Sequence, residues 1–173
     1  MNFRDELLKE HSRRQTLKVA AYIGEDKKLF KDLMDLFFAN EHLVTQRAAA
    51  VVNESFTRYP ELIQPYLRQL LENLNKTNLH DAVKRNTVRM LQFIVLPKKL
   101  QGLAFEMCLK LFVNPAEAIA IKVFAMTVLA NICQEEKDLR HELILLIRQQ
   151  MPYGSTGFCN RGGKILKQLE KLK

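Results

Sequence analysis

The sequence predicts an all-α fold of about five antiparallel helix pairs, and three features of the chain point to it. Chain-breaking residues are few, with six glycines and five prolines in 173 residues, so long elements run uninterrupted between turns. Apolar residues recur at helical spacing, as in Leu62, Ile63, Tyr66, Leu67, Leu70, Leu71 and Leu74, which form one stripe of a 3.6-residue repeat. A basic residue also returns at Arg14, Arg47, Arg85, Lys122 and Arg161, with gaps of 33, 38, 37 and 39 residues. Two helices and two loops fill that interval.

Taken in order, the elements are separated by turn chemistry. Gly24-Glu25-Asp26, Ala39-Asn40-Glu41, Asn75 to Asn78, Leu96-Pro97, Asn114-Pro115 and Met151 to Gly157 punctuate the chain, leaving about ten helical stretches. No alternating strand pattern and no Asn-Gly or Asp-Gly hairpin turn occurs. The Leu62–Leu74 stripe predicts a helix from Glu61 to Leu74, with Pro60 in its first turn where no amide hydrogen bond is lost. The segment before it, VTQRAAAVVNESFTRY, is helical too, and the pair forms a hairpin broken at Tyr59-Pro60. Glu117 to Cys133 reads as a helix with hardly any polar face, which places it inside a stack. Phe93, Phe124 and Tyr22 read as core residues.

The second helix of each pair aligns as HSRRQTLKVAAYI, VTQRAAAVVNESF, AVKRNTVRMLQFI, AIKVFAMTVLANI and FCNRGGKILKQL. Two of these segments, HDAVKRNTVRML and EAIAIKVFAMTVLANI, resemble the HEAT repeat, whose second helix carries an acidic residue, a valine-arginine pair and then small apolar residues. Asp81, Val83, Arg85 and Val88 match best, while Leu43 and Ala118 stand where two other copies would carry the acid. The resemblance implies a single domain over residues 1–173, a right-handed α-α superhelix in which each pair buries its apolar face on its neighbours. It implies a fold and no activity.

The net charge is +8, which suits an acidic protein, nucleic acid or an anionic surface as partner. The candidate contacts are the repeated cations Arg14, Arg47, Arg85, Lys122 and Arg161, with Lys18, Lys84, Arg89 and Lys164 on the same helices. Two readings of the repeated position stand side by side. It bridges adjacent repeats by pairing with acids or helix ends, or it lines a positive groove on the concave face. HEAT-like alkylpurine DNA glycosylases provide a precedent for the groove, but they use aromatic residues, tryptophan among them, beside a catalytic aspartate. This chain has no tryptophan, so that chemistry is not carried over.

Little in the sequence speaks for catalysis. Cys108, Cys133 and Cys159 form no CxxC pair, so neither a zinc site nor a disulfide framework is expected, and the first two sit in apolar runs as buried thiols. His11, His42, His80 and His141 lack metal-ligand spacing and are expected at helix ends or in solvent. Pro152 to Lys164 holds four glycines but departs from the phosphate-loop pattern, since Phe158 replaces its first glycine and Ile165 follows the lysine. It reads as the last inter-helix loop, with Ser155 or Thr156 capping a helix. Gln149-Gln-Met-Pro resembles the Ser-Met-Pro loop of the fumarase and adenylosuccinate lyase superfamily, but Gln150 stands in the serine's place. The sequence therefore predicts a non-catalytic scaffold for an acidic protein partner, bound through the concave helical face. Non-specific phosphate binding is the alternative and lyase chemistry a distant third. No cofactor, metal or membrane span is expected, and the reading is of a cytoplasmic monomer.

Overall fold

The computed structural model describes residues 1–171. Among them are ten α-helices and no strand. They fall into two compact units, Met1–Met90 and the chain from Leu91 onward.

The first unit holds α1 (Phe3–Lys9), α2 (Arg13–Ile23), α3 (Lys27–Phe38), α4 (His42–Arg58), α5 (Leu67–Asn73) and α6, which begins at Asp81 and ends at Leu91. Its first three helices start at side-chain caps. Asn2 accepts from the amides of Arg4 and Asp5, Ser12 from Gln15, and Asp26 from Lys28 and Leu29. Each cap satisfies amides that have no partner within the first helical turn. Phe30, Leu33, Met34 and Phe37 of α3 are fully buried at helical spacing and pack towards α4. Removing one such core side chain costs about 2–5 kcal/mol.

The expected Glu61–Leu74 helix is divided. Pro60–Tyr66 is a 3-10 helix, and α5 starts only at Leu67. Pro65 explains the break, because it lacks an amide proton and its ring clashes with the carbonyl four residues earlier. The apolar stripe survives the change of pitch: Leu62, Ile63, Leu67, Leu70, Leu71 and Leu74 are all buried.

The second unit holds α7 (Lys98–Val113), α8 (Ile119–Glu135), α9 (Arg140–Gln150) and α10 (Thr156–Lys171), with 3-10 turns at Lys137–Leu139 and Met151–Tyr153. Helix α8 packs on α7, α9 and α10, and Ile121, Ala125, Met126, Val128, Leu129, Ile132 and Cys133 are buried there. That matches its apolar sequence, although Ile119 at its start is exposed. The glycine-rich segment is not the expected loop. Helix α10 begins at Thr156 and takes in Gly157, Gly162 and Gly163, while Ser155 accepts from the Phe158 amide as its cap. Gly162 is there for space: a Cβ would lie 2.8 Å from Met151 Sδ and 3.3 Å from Ile147 Cγ2.

Within the units, side chains close helix C-termini about one repeat earlier. The last four carbonyls of a helix have no internal partner. Arg47 Nη1 donates to Leu7 O near the end of α1 at 2.7 Å, 40 residues back. Gln150 Nε2 donates to Phe112 O of α7 at 3.2 Å, 38 residues back. Asn131 Nδ2 donates to Gln92 O, just past α6, at 3.0 Å and 39 residues back. The repeat length seen in the sequence is thus also the spacing of these bonds.

Candidate functional site

The basic residues singled out by the sequence divide into three groups, with Lys122 apart from them. Arg47 and Arg161 are structural stitches. Arg47 is half-buried on α4 and places its guanidinium on the carbonyl end of α1, where the helix dipole favours a cation. Arg161 is half-buried on α10, and its Nη1 donates to Thr127 Oγ1 of α8 at 3.0 Å. Thr127 in turn donates to Val123 O, within α8, at 3.0 Å. Both arginines join a second helix to the preceding pair.

Lys18 and Lys84 are engaged by acids. Lys18 Nζ lies 3.0 Å from Glu6 Oε2, and Lys84 Nζ lies 3.1 Å from Asp81 Oδ1. Glu6 is the centre of the first cluster. It also accepts from Lys9 and from Gln15 Nε2, the latter at 2.9 Å. Hydrogen bonds from Lys9, Lys18 and Gln15 hold its carboxyl down at about 2, because donors stabilise the ionised form.

Arg14, Arg85, Arg89 and Lys164 are exposed. Arg85 and Arg89 are four residues apart on α6 and so share a helix face. Lys122 is half-buried on α8 and lines a groove of about 510 Å³ with Val113, Ile119, Tyr153 and Phe158. One repeated sequence position therefore does different work in different repeats.

The aromatic expectation needs correction. Tyr22 is exposed and Phe93 is 72% exposed, whereas Phe124 is half-buried. Phe93 lies past the end of α6, in a loop whose neighbours Ile94 and Leu96 take the buried positions. Phe93 sits in a turn closed by the Ile94 amide donating to Leu91 O at 3.2 Å, which carries it outward.

Cys108 and Cys133 are buried as expected. Burial pushes their thiols up to about 12 and about 11, which leaves them protonated and poor nucleophiles. Among the described residues, no three His, Cys, Asp or Glu side chains gather as metal ligands. No helix there is long and apolar enough to cross a membrane.

One feature that sequence reasoning missed is a histidine pair. His42 opens α4 and His80 precedes α6, and their rings meet edge to face with centroids 4.6 Å apart. The signal was present as a repeated Asn-x-His at Asn40 and Asn78. Both asparagines adopt positive φ, 57° and 60°, a left-handed turn that asparagine tolerates better than most residues.

No curated protein and no solved structure gave a significant match to the chain. The family model of the HEAT repeat domain matches residues 3–169, which reaches into each of the ten helices described. HEAT repeats commonly mediate protein interactions, and their paired-helix pattern accounts for both the apolar stripes and the recurring cation. The chain belongs to the HEAT repeat domain family.

Proposed function

We propose that this HEAT repeat chain is a non-catalytic scaffold that binds an acidic protein segment through cations of its first unit left exposed by folding: Arg14, Arg85 and Arg89. The observation that carries the reading is the division of labour among the basic residues. Arg47 and Arg161 are spent on joining helices, whereas Arg85 and Arg89 stand together, exposed, on one face of α6. Like charges four apart on a helix cost about 0.2–0.5 kcal/mol, and an acidic partner offsets that cost. Within the second unit, Lys122 lines its own groove with the exposed apolar groups Ile119 and Tyr153, a patch that by itself suits a segment mixing carboxylates with bulky apolar side chains.

A fluorescence-anisotropy titration with a labelled Glu/Asp-rich peptide containing Leu and Phe tests this reading. The double substitution Arg85→Glu, Arg89→Glu is expected to weaken binding at least tenfold without changing the melting temperature. Equal affinity of wild type and double variant would overturn the assignment to this face.

The second reading, sequence-independent phosphate binding, draws on Tyr22. It is exposed on the same helix as Arg14 and Lys18, an arrangement suited to a base stacking beside its phosphates. It predicts retention of duplex and single-stranded DNA with a steep loss on adding salt. If DNA binds in this way and the acidic peptide does not, this reading replaces the first.

A further inference from the structure

The loop after α6 and the end of α8 enclose a pocket of about 250 Å³ within the second unit. Its chemistry is opposite to that of the basic residues. Gln101 of α7 is buried, and its amide nitrogen donates both to Leu96 O at 3.2 Å and to Glu135 Oε2 at 2.7 Å. Two acceptors on one side fix which way the amide points, since the flipped amide would set oxygen against oxygen. Gln101 Oε1 is left buried with no protein donor. Such an unmatched acceptor costs about 1–3 kcal/mol.

Asn131 of α8 commits an amide proton to Gln92 O, which leaves its carbonyl oxygen as an acceptor on the same wall. Glu135 supplies the one charged group of the lining and is exposed, so its second oxygen can meet a ligand. The polar wall thus offers the Glu135 carboxylate and the Asn131 amide oxygen, while Gln101 Oε1 is buried and both Gln101 amide protons are already used. Phe93 and Val95 line the same pocket and stand 72% and 87% exposed, on a loop anchored at Gln92 O and Leu96 O. Large apolar side chains held this far into water on an anchored loop suit a partner surface.

We infer that this pocket receives an arginine side chain of a partner protein, a site separate from the basic face proposed above. A guanidinium is planar, always charged and has five donors and no acceptor. It pairs with Glu135, turns a remaining proton to the Asn131 amide oxygen, and lays its flat face and aliphatic stem against Phe93 and Val95. Gln101 acts as a positioning residue, fixing the Glu135 carboxylate from behind. An acidic side chain is excluded by Glu135, and a purely apolar one leaves the wall unmatched.

The test uses the full chain, isotope-labelled, titrated with acetyl-Leu-Arg-Leu-amide and with the same peptide carrying citrulline, the neutral isostere of arginine. The expected result is saturable shifts of the Gln101 and Asn131 side-chain amides, with the citrulline peptide bound at least tenfold more weakly. Glu135→Gln keeps an acceptor for the Gln101 amide but removes the charge, and should cost the arginine peptide at least tenfold in affinity. Phe93→Ala should cost at least threefold, while Arg85→Ala should leave the affinity unchanged. No saturable shift with millimolar peptide overturns the inference, as does equal binding of the citrulline peptide. Self-association that Glu135→Gln abolishes, seen by sedimentation without peptide, overturns it too, since the occupant is then a second copy of the chain.

Discussion

The edge of one imidazole faces the ring of another where His42 meets His80, at a centroid separation of 4.6 Å. His80 Nδ1 accepts the Ala82 amide proton at 3.0 Å, so the ring caps the start of α6 only while that nitrogen is unprotonated. Desolvation first, then the charges of His42 and Arg85, lower its pKa from 6.5, and Asp81 opposes them. A histidine with a lowered folded-state pKa binds fewer protons folded than unfolded, so stability rises with pH. The contribution is complete above the unfolded value and is lost as pH falls through the folded one. Urea midpoints should therefore drop between about pH 7.5 and about pH 5.5, and less so in His80→Asn, which can retain a cap. NMR titration should place His80 below the usual histidine range and show it rising in His42→Ala. A His80 titration unaffected by His42→Ala would remove the coupling.

The Glu6 cluster predicts a second, more acidic transition. Glu6 sits at about 2 against an ordinary 4.5. Because its folded value is depressed, its contribution is present above the unfolded value and lost as pH falls towards the folded one. The Glu6 carboxyl carbon should remain in its ionised position at about pH 3, and Lys18→Ala should raise its titration midpoint. A midpoint in the ordinary glutamate range would show that the donors do not hold in solution.

Arg47 and Arg85 occupy the same place in two repeats and should differ in what they contribute. Arg47→Ala leaves Leu7 O without its donor and should destabilise by about 1–3 kcal/mol in urea unfolding. Arg85→Ala, on an exposed face, should stay within about 0.5 kcal/mol. Arg47→Lys should recover part of the loss, since the cation stays but the guanidinium reach does not. Equal effects at the two positions would contradict the stitching role.

Two adjacent glycines of α10 provide a sharper contrast. Gly163→Ala meets nothing within 4 Å and should stabilise by about 0.5–1 kcal/mol, as alanine is the better helix former. Gly162→Ala gains the same propensity but drives its Cβ against Met151 and Ile147. Its unfolding free energy should fall at least about 1 kcal/mol below that of Gly163→Ala. Thermal melts of the two variants decide the point.

Thiol chemistry follows burial. Cys108 and Cys133 should resist a disulfide reagent in the native state, because their thiols lie near 12 and 11 and are enclosed. Cys159 is half-exposed, with its Sγ donating to Met151 O at 3.2 Å. Native protein should release about one equivalent of thiolate product and unfolded protein about three.

The sequence by itself determined the helical class, the repeat and most of the core, because these depend on local periodicity. Leu62, Ile63, Leu67, Leu70 and Leu71 had to share a stripe whatever the pitch of the helix carrying them. The two apolar cysteines were equally legible, and the caps at Ser12, Asp26 and Ser155 rest on local chemistry. Pro65 overrides the stripe's periodicity locally, since one missing amide proton turns half of a helix into 3-10 pitch. What each repeated cation does was decided only by tertiary structure. Arg47 finds an orphan carbonyl 40 residues away and Arg161 finds Thr127, whereas Arg85 faces solvent. The outward turn of Phe93, the pairing of His42 with His80 and the unmatched oxygen of Gln101 have the same origin. A periodic sequence repeats its positions, but a side chain's partner lies on a neighbouring helix pair, and only packing brings the two together.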